Sequence, residues 1–235
     1  MLMLRPQLQL LTLALFMLNS CVQHKEDEIG PSYPLHQTLT IKYQKHNQKL
    51  ICSAQFKKNN EWGDVVQLSG KSRITFNDRA HTQVVHNNGI TYVWESSQLP
   101  LDNKVDFKLF KSESEFISNQ LSLNDTFDID LKKNGDRIEK SSDFVVAWIG
   151  KPIQENDEVT VYLKQGAVTS KEMHQSTHGA TDISIPFSEL INFESGPVEL
   201  TVLRKHTINS LNWADKEAGG KRSYIVEQRR VVQIR

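Results

Sequence analysis

The chain is 235 residues long, 38% apolar and 24% charged, with 28 Lys and Arg balancing 28 Asp and Glu. That leaves room for one large or two small domains and sets the chain apart from disordered polar sequences. A formal net charge of zero excludes the global basic field that gathers a protein onto DNA or RNA, so no nucleic-acid partner is expected.

Arg5 is the only charge before Lys25, and Leu8 to Leu18 read LQLLTLALFML. As a helix this run spans about 16 Å, half of a bilayer core of roughly 30 Å. A positive start, a short apolar centre and then small or polar residues predict a secretory signal peptide over residues 1–20. The tetrapeptide Leu18-Asn19-Ser20-Cys21 resembles the lipobox of bacterial lipoproteins: an aliphatic residue, a variable one, a small one, then cysteine. The resemblance implies that the Cys21 thiol receives a diacylglyceryl group, that a peptidase cuts before it, and that the new amino terminus is acylated too. Two or more acyl chains hold a protein on a membrane where one does so only marginally. Val22 stands where an aspartate would resemble the inner-membrane retention signal, which implies the outer membrane. Residues 21–36 then read as a lipidated tether, rich in charge and carrying a Gly-Pro pair.

Beyond the tether the pattern has period two almost throughout. TLTIKY, KLICSAQF, ITYVW, KVDFKLF, DTFDIDL, DFVVAW, EVTVYL and PVELTV each place apolar side chains on alternate positions. Clusters of Asn, Gly, Pro, Asp and Ser separate them, as in antiparallel sheets with one wet face. FSELINF, residues 187–193, is the one short helix expected. The fold class expected is all-β, two tandem immunoglobulin-like sandwiches over residues 37–132 and 133–235. The polar stretch 131–143, with its Asn-Gly turn, is the expected seam. An internal repeat is also expected, aligning KVDFKLFKSE and DTFDIDL with PVELTVLRKH and RRVVQI. The stretch DFVVAWIGKPIQENDEVTVYLKQ resembles the early strand pair of fibronectin type III and other immunoglobulin-like sandwiches: a tryptophan ends one strand and a proline-containing turn leads to the next. That resemblance implies a shape and no activity.

Few constellations carry chemistry. Once Cys21 is acylated, Cys52 has no partner in the chain, and its place in KLICSAQF makes it a small buried hydrophobe. His174 and His178 share the i, i+4 spacing of a helical metal pair, but they sit in a stretch that reads as polar loop, without a third ligand. His81 and His86 point to opposite faces of a short strand. Asp125, Asp128 and Asp130 lack the glycine and glutamate of a calcium loop. No cofactor or metal is expected, and no catalytic residue is nominated. The carboxyl end, GGKRSYIVEQRRVVQIR, reads as a final strand whose charges guard a sheet edge. Before it, residues 209–223 form a loop carrying Trp213 and Arg222, the two candidates for a partner contact. Removing that loop is expected to leave the fold intact. Together these features predict a membrane-anchored envelope lipoprotein acting as a non-catalytic binding or structural module, meeting an envelope protein or a glycan. The alternative is an envelope hydrolase with catalytic groups on its loops.

Overall fold

The computed structural model describes residues 33–86, 89–100, 102–123, 128–130 and 135–235. The segments expected as signal peptide, lipobox with Cys21 and most of the tether lie outside the described residues, as do Asp125 and the His86 side chain.

The chain is all-β with one helical turn. Its first half supplies β1 (Leu35–Gln44), β2 (Lys49–Lys58), β3 (Arg73–Phe76), β4 (Thr82–His86), β5 (Gly89–Ser96), β6 (Lys104–Phe110) and β7 (Phe116–Ser122). Two short strands follow, β8 (Asp128–Asp130) and β9 (Arg137–Ile138). The second half adds β10 (Phe144–Ile149), β11 (Asp157–Gln165), β12 (Val168–Thr169), β13 (Met173–Gln175) and β14 (Asp182–Ile185). It closes with α1 (Phe187–Leu190), β15 (Gly196–Ile208) and β16 (Gly220–Ile234). Helix α1 is the expected one, four residues long, started by Pro186 and burying Leu190.

One large sheet runs the length of the protein in the order β12-β11-β15-β16-β1-β2-β5-β4, with β13 beside β11 and β9 beside β16. Two three-stranded sheets, β3-β6-β7 and β14-β10-β8, complete the architecture. Leu39, Ile41, Leu50, Cys52, Ala54, Phe56 and Tyr92 of the large sheet share one apolar cluster with Ile74, Phe76, Val105, Phe107, Leu109 and Leu121 of the first small sheet. Val159, Val161, Leu163, Val198, Leu200 and Val202 share a second cluster with Phe144, Val146, Trp148, Ile183 and Ile185. Each layer pair is sandwich-like, because period-two strands bury one row and leave the other wet. Cys52 is fully buried, and burial drives its thiol pKa up far enough to leave it a protonated, inert hydrophobe.

Three expectations give way. Strand β16 is no edge: it pairs antiparallel with β15 from Ile208↔Arg222 to Gly196↔Ile234 and parallel with β1 over Gln37↔Gly220 to Gln44↔Glu227. Glu227 and Arg229 therefore serve ion pairs within the sheet rather than edge protection. The repeat frame fails because β6 lies in a small sheet and continues into β7, whereas β15 lies in the large sheet and continues into β16. Part of DTFDIDL forms β8, which pairs with β10 across the polar stretch. And 171–182 is not wholly loop, since His174 sits on β13 against Thr160.

The turn from β10 to β11 matches the local expectation of tryptophan, proline turn and returning strand. Trp148 is buried and its Nε1 donates to the Lys151 carbonyl at 3.4 Å. Arg204 on β15 then clasps that turn, donating to the carbonyls of Lys151 (2.6 Å) and Pro152 (3.0 Å). Such a clasp satisfies buried turn carbonyls that a sheet cannot reach. Among the described residues the second cluster contains no cysteine.

Candidate functional site

The end of the large sheet where β1 and β16 begin and β2 and β15 end carries the most built surface feature. It is a groove of about 540 Å³ lined by His36, Asn60, Glu61, Trp62, Asn209, Ala218, Gly219, Gly220 and Lys221. One wall is the turn after β2. There Lys58 N–H donates to Asp64 O (2.9 Å), Asn59 N–H to Pro34 O (2.9 Å), Asn60 N–H to Lys58 O (2.8 Å) and Gly63 N–H to Asn60 O (3.1 Å). The Asn60 side chain accepts the Trp62 N–H at 2.9 Å, and Lys57 Nζ donates to Glu61 O at 2.7 Å. Gly63 is obligatory, since a Cβ there would lie 1.8 Å from Lys58 O. A turn held at this many points presents Trp62, 86% exposed, with little ordering left to lose on contact.

The floor depends on the adjacent glycines. Gly219 adopts φ 68°, ψ −155°, a region open essentially to glycine alone. A Cβ on Gly220 would meet Leu211 Cδ1 at 2.4 Å and Gln37 O at 2.5 Å. At the side lies His36, only 7% exposed, whose Nδ1 has no hydrogen-bond partner among the described residues. Burial lowers its pKa, Glu61 opposes the shift and Lys221 and Lys57 reinforce it, so the ring is neutral at pH 7.

The loop 209–219 shapes the far side and is anchored rather than loose. Asp215 is buried against Lys111, with Nζ and Oδ2 at 2.9 Å, and it also accepts the Leu35 N–H at 2.8 Å. Residues 220–223 belong to β16. Removing 209–223 would thus strip a buried ion pair of one partner and shorten a central strand, contrary to the sequence expectation.

Of the residues singled out from sequence, Trp213 is 69% exposed, and its backbone exchanges two hydrogen bonds with the Asn119 side chain (2.9 and 3.0 Å) on the edge strand β7. That contact covers an edge. Arg222 donates to Asn212 Oδ1 at 2.8 Å and so braces the same loop. Neither lines the groove. Trp62, His36 and Glu61 escaped sequence reasoning. NNEWGD, a lone tryptophan inside a cluster of turn formers, was the available signal.

Other polar centres are committed to structure. Asp157 accepts from Arg204 (2.5 Å), His206 (2.6 Å) and the Gln154 N–H (3.0 Å). Burial alone would raise its pKa, but these donors outweigh it and hold the carboxyl below the usual range. Glu227 behaves alike: burial opposes ionisation, and Lys42 and Arg229 prevail. A smaller hollow of about 280 Å³, lined by Ser122, Leu123, Lys151, His206, Ile208, Tyr224 and Val226, sits where the two halves meet. Among the described residues no group of three or more His, Cys, Asp or Glu is placed to hold a metal ion.

No family model matches the chain, and no curated protein matches it. Among solved structures it aligns with the crystal structure of DIP-gamma IG1+IG2 at 10% identity and a TM-score of 0.23, over 83% of this chain and 96% of that one. The likeness is a distant one of β-rich shape. Nothing about the groove or its ligand follows from it.

Proposed function

We propose that the protein is a bacterial envelope lipoprotein, anchored by acyl chains on Cys21, whose folded part is a non-catalytic binding module. Its address is most consistent with the outer membrane, given Val22 after the cysteine. The observation that carries the binding reading is Trp62, almost wholly exposed on a turn fixed by main-chain and side-chain hydrogen bonds, beside a groove whose floor requires two glycines. Rigid aromatic anchors of this kind supply contact area at small entropic cost. The groove lining holds a single carboxylate, Glu61, and among the described residues Asp157 and Glu227, whose pKa values are depressed, lie elsewhere in ion pairs. Most glycoside hydrolases work through a pair of carboxylates flanking the scissile bond, an arrangement this lining does not offer.

Metabolic labelling with an alkyne fatty acid tests the anchor. The wild-type chain is expected to incorporate label and shorten from precursor length, and Cys21→Ala to do neither. Equal labelling of the variant would overturn the lipoprotein reading. Turnover of envelope glycan or peptide by the purified protein would overturn the non-catalytic one.

A further inference from the structure

We infer that the Trp62 groove is a saccharide-binding site. The inference rests on the binding-module reading and deepens it by naming the ligand class.

The lining selects among ligand classes. A protein hot spot is an aromatic anchor in a well-packed pocket whose surrounding contacts exclude water, whereas Trp62 is 86% exposed beside an open groove lined with Asn60, Glu61, Asn209, Lys221 and His36. An extended peptide would add to a free sheet edge. Much of the main chain at this end is already engaged: β1 pairs with β2 through Leu35↔Lys58 and His36↔Lys57, and the end of β2 bonds its own turn through Lys58 N–H to Asp64 O and Val66 N–H to Phe56 O. Single-stranded nucleic acid needs a basic track, and here one lysine faces one glutamate. An apolar small molecule would use Trp62 and Ala218 but offer no hydrogen bonds to Asn60, Glu61, Asn209 and Lys221.

A sugar ring matches what is present. Its C–H face stacks on an exposed indole, and its hydroxyls are donors and acceptors together. Amides, a carboxylate, an ammonium and a neutral imidazole satisfy both roles. Asn60 uses Oδ1 on the Trp62 N–H and keeps its amide protons as donors. His36 also lines the groove wall, with its Nδ1 buried and without a partner among the described residues. The groove volume of about 540 Å³ falls within the range of roughly 300–1,000 Å³ typical of small-ligand sites.

The test is a glycan array carrying chito-, cello-, malto- and galacto-oligosaccharides together with soluble fragments of bacterial envelope glycan, probed with the full mature chain in detergent. The wild-type protein is expected to bind at least one saccharide class. Trp62→Ala should weaken that binding by about tenfold or more, while Trp62→Phe keeps it within about threefold. Trp213→Ala, away from the groove, should leave it unchanged. Far-UV circular dichroism and melting of each variant establish that it folds, as expected for a side chain so exposed. Wild-type protein that binds no glycan, or Trp62→Ala that binds as tightly as wild type, would overturn the saccharide site. If the array is silent but a defined envelope protein binds and loses affinity with Trp62→Ala, the saccharide fails and the binding module stands. Release of reducing ends from the printed glycans would overturn the module itself.

Discussion

Asp157 shows how one buried side chain stabilises a local structure. Its carboxylate neutralises Arg204, orients His206 and receives the Gln154 N–H, so the turn that carries Pro152 is tied to β15. Removing one member of a buried pair leaves the other charged in a low dielectric, which typically costs about 3–5 kcal/mol. Asp157→Asn is therefore expected to lower stability by that order at pH 7 in urea denaturation. The sign of the pH effect follows from a depressed carboxyl pKa. The stabilisation is complete above the unfolded value of about 4 and is lost as pH falls through the lower folded-state value. The gap between wild type and Asp157→Asn should accordingly narrow in denaturation at pH 2.5, and a gap independent of pH would refute the assignment. The Glu227 cluster has the same sign and adds to the acid sensitivity of the wild type. At this scale the sequence was informative about apolar residues only. Cys52 was legible as core because alternation places it with Leu50 and Phe56. Asp157, Asp215 and Glu227 looked like any surface carboxylate, since burial of a charge depends on a partner distant in the chain.

Among the elements, the loop 209–219 and β16 depart furthest from expectation. The loop looked dispensable because it is polar and long, yet Asp215 reaches into the first half to meet Lys111, which also donates to Tyr33 O at 3.1 Å. Asp215→Ala should thus destabilise the protein by about 3–5 kcal/mol. The paired replacement Asp215→Leu with Lys111→Met should recover much of the loss, because no charge then lies unpaired. Chemical denaturation of the three chains decides this, and an Asp215→Ala variant as stable as wild type would show the ion pair to be idle. Strand β16 was legible as a strand, but not as a central one. Its neighbours are β15, close in sequence, and β1, about 180 residues away. Its basic residues suggested an edge because the sequence does not show the cross-strand pairing: Arg229 bonds Glu199 on β15 as well as Glu227 on its own strand, and Glu227 also pairs with Lys42 on β1.

In the whole molecule, two apolar clusters are served by one continuous sheet. Strands β15 and β16 run 13 and 15 residues, and β16 lends Tyr224 to the first cluster and Val226, Val232 and Ile234 to the second. Neither cluster can lose its share of β16 without disturbing the other, so the folded part should unfold in one cooperative transition. Two probes in a Cys21→Ala chain test this: alkylation of Cys52, which reports the first cluster, and amide exchange in β11, which reports the second. Both are expected to respond at the same denaturant concentration. Two separated midpoints would show independently folding halves.

The sequence by itself determined the all-β class, the inward rows of β1, β2, β5, β6, β10, β11 and β15 and the place of the short helix, because period two and turn chemistry act over a few residues. Short strands such as β3, β12 and β13 carry too few residues to show a period. The sequence also carries Leu18-Asn19-Ser20-Cys21, the four consecutive positions on which the proposed anchor rests. Tertiary structure alone decided that β16 is interior, that Asp215 and Asp157 are buried anchors, and that Trp62, His36, Asn209 and Lys221 meet around Gly219 and Gly220. Those facts rest on contacts between residues far apart in the chain, and alternation, which selects a face of a strand, is silent on which strand will lie beside it.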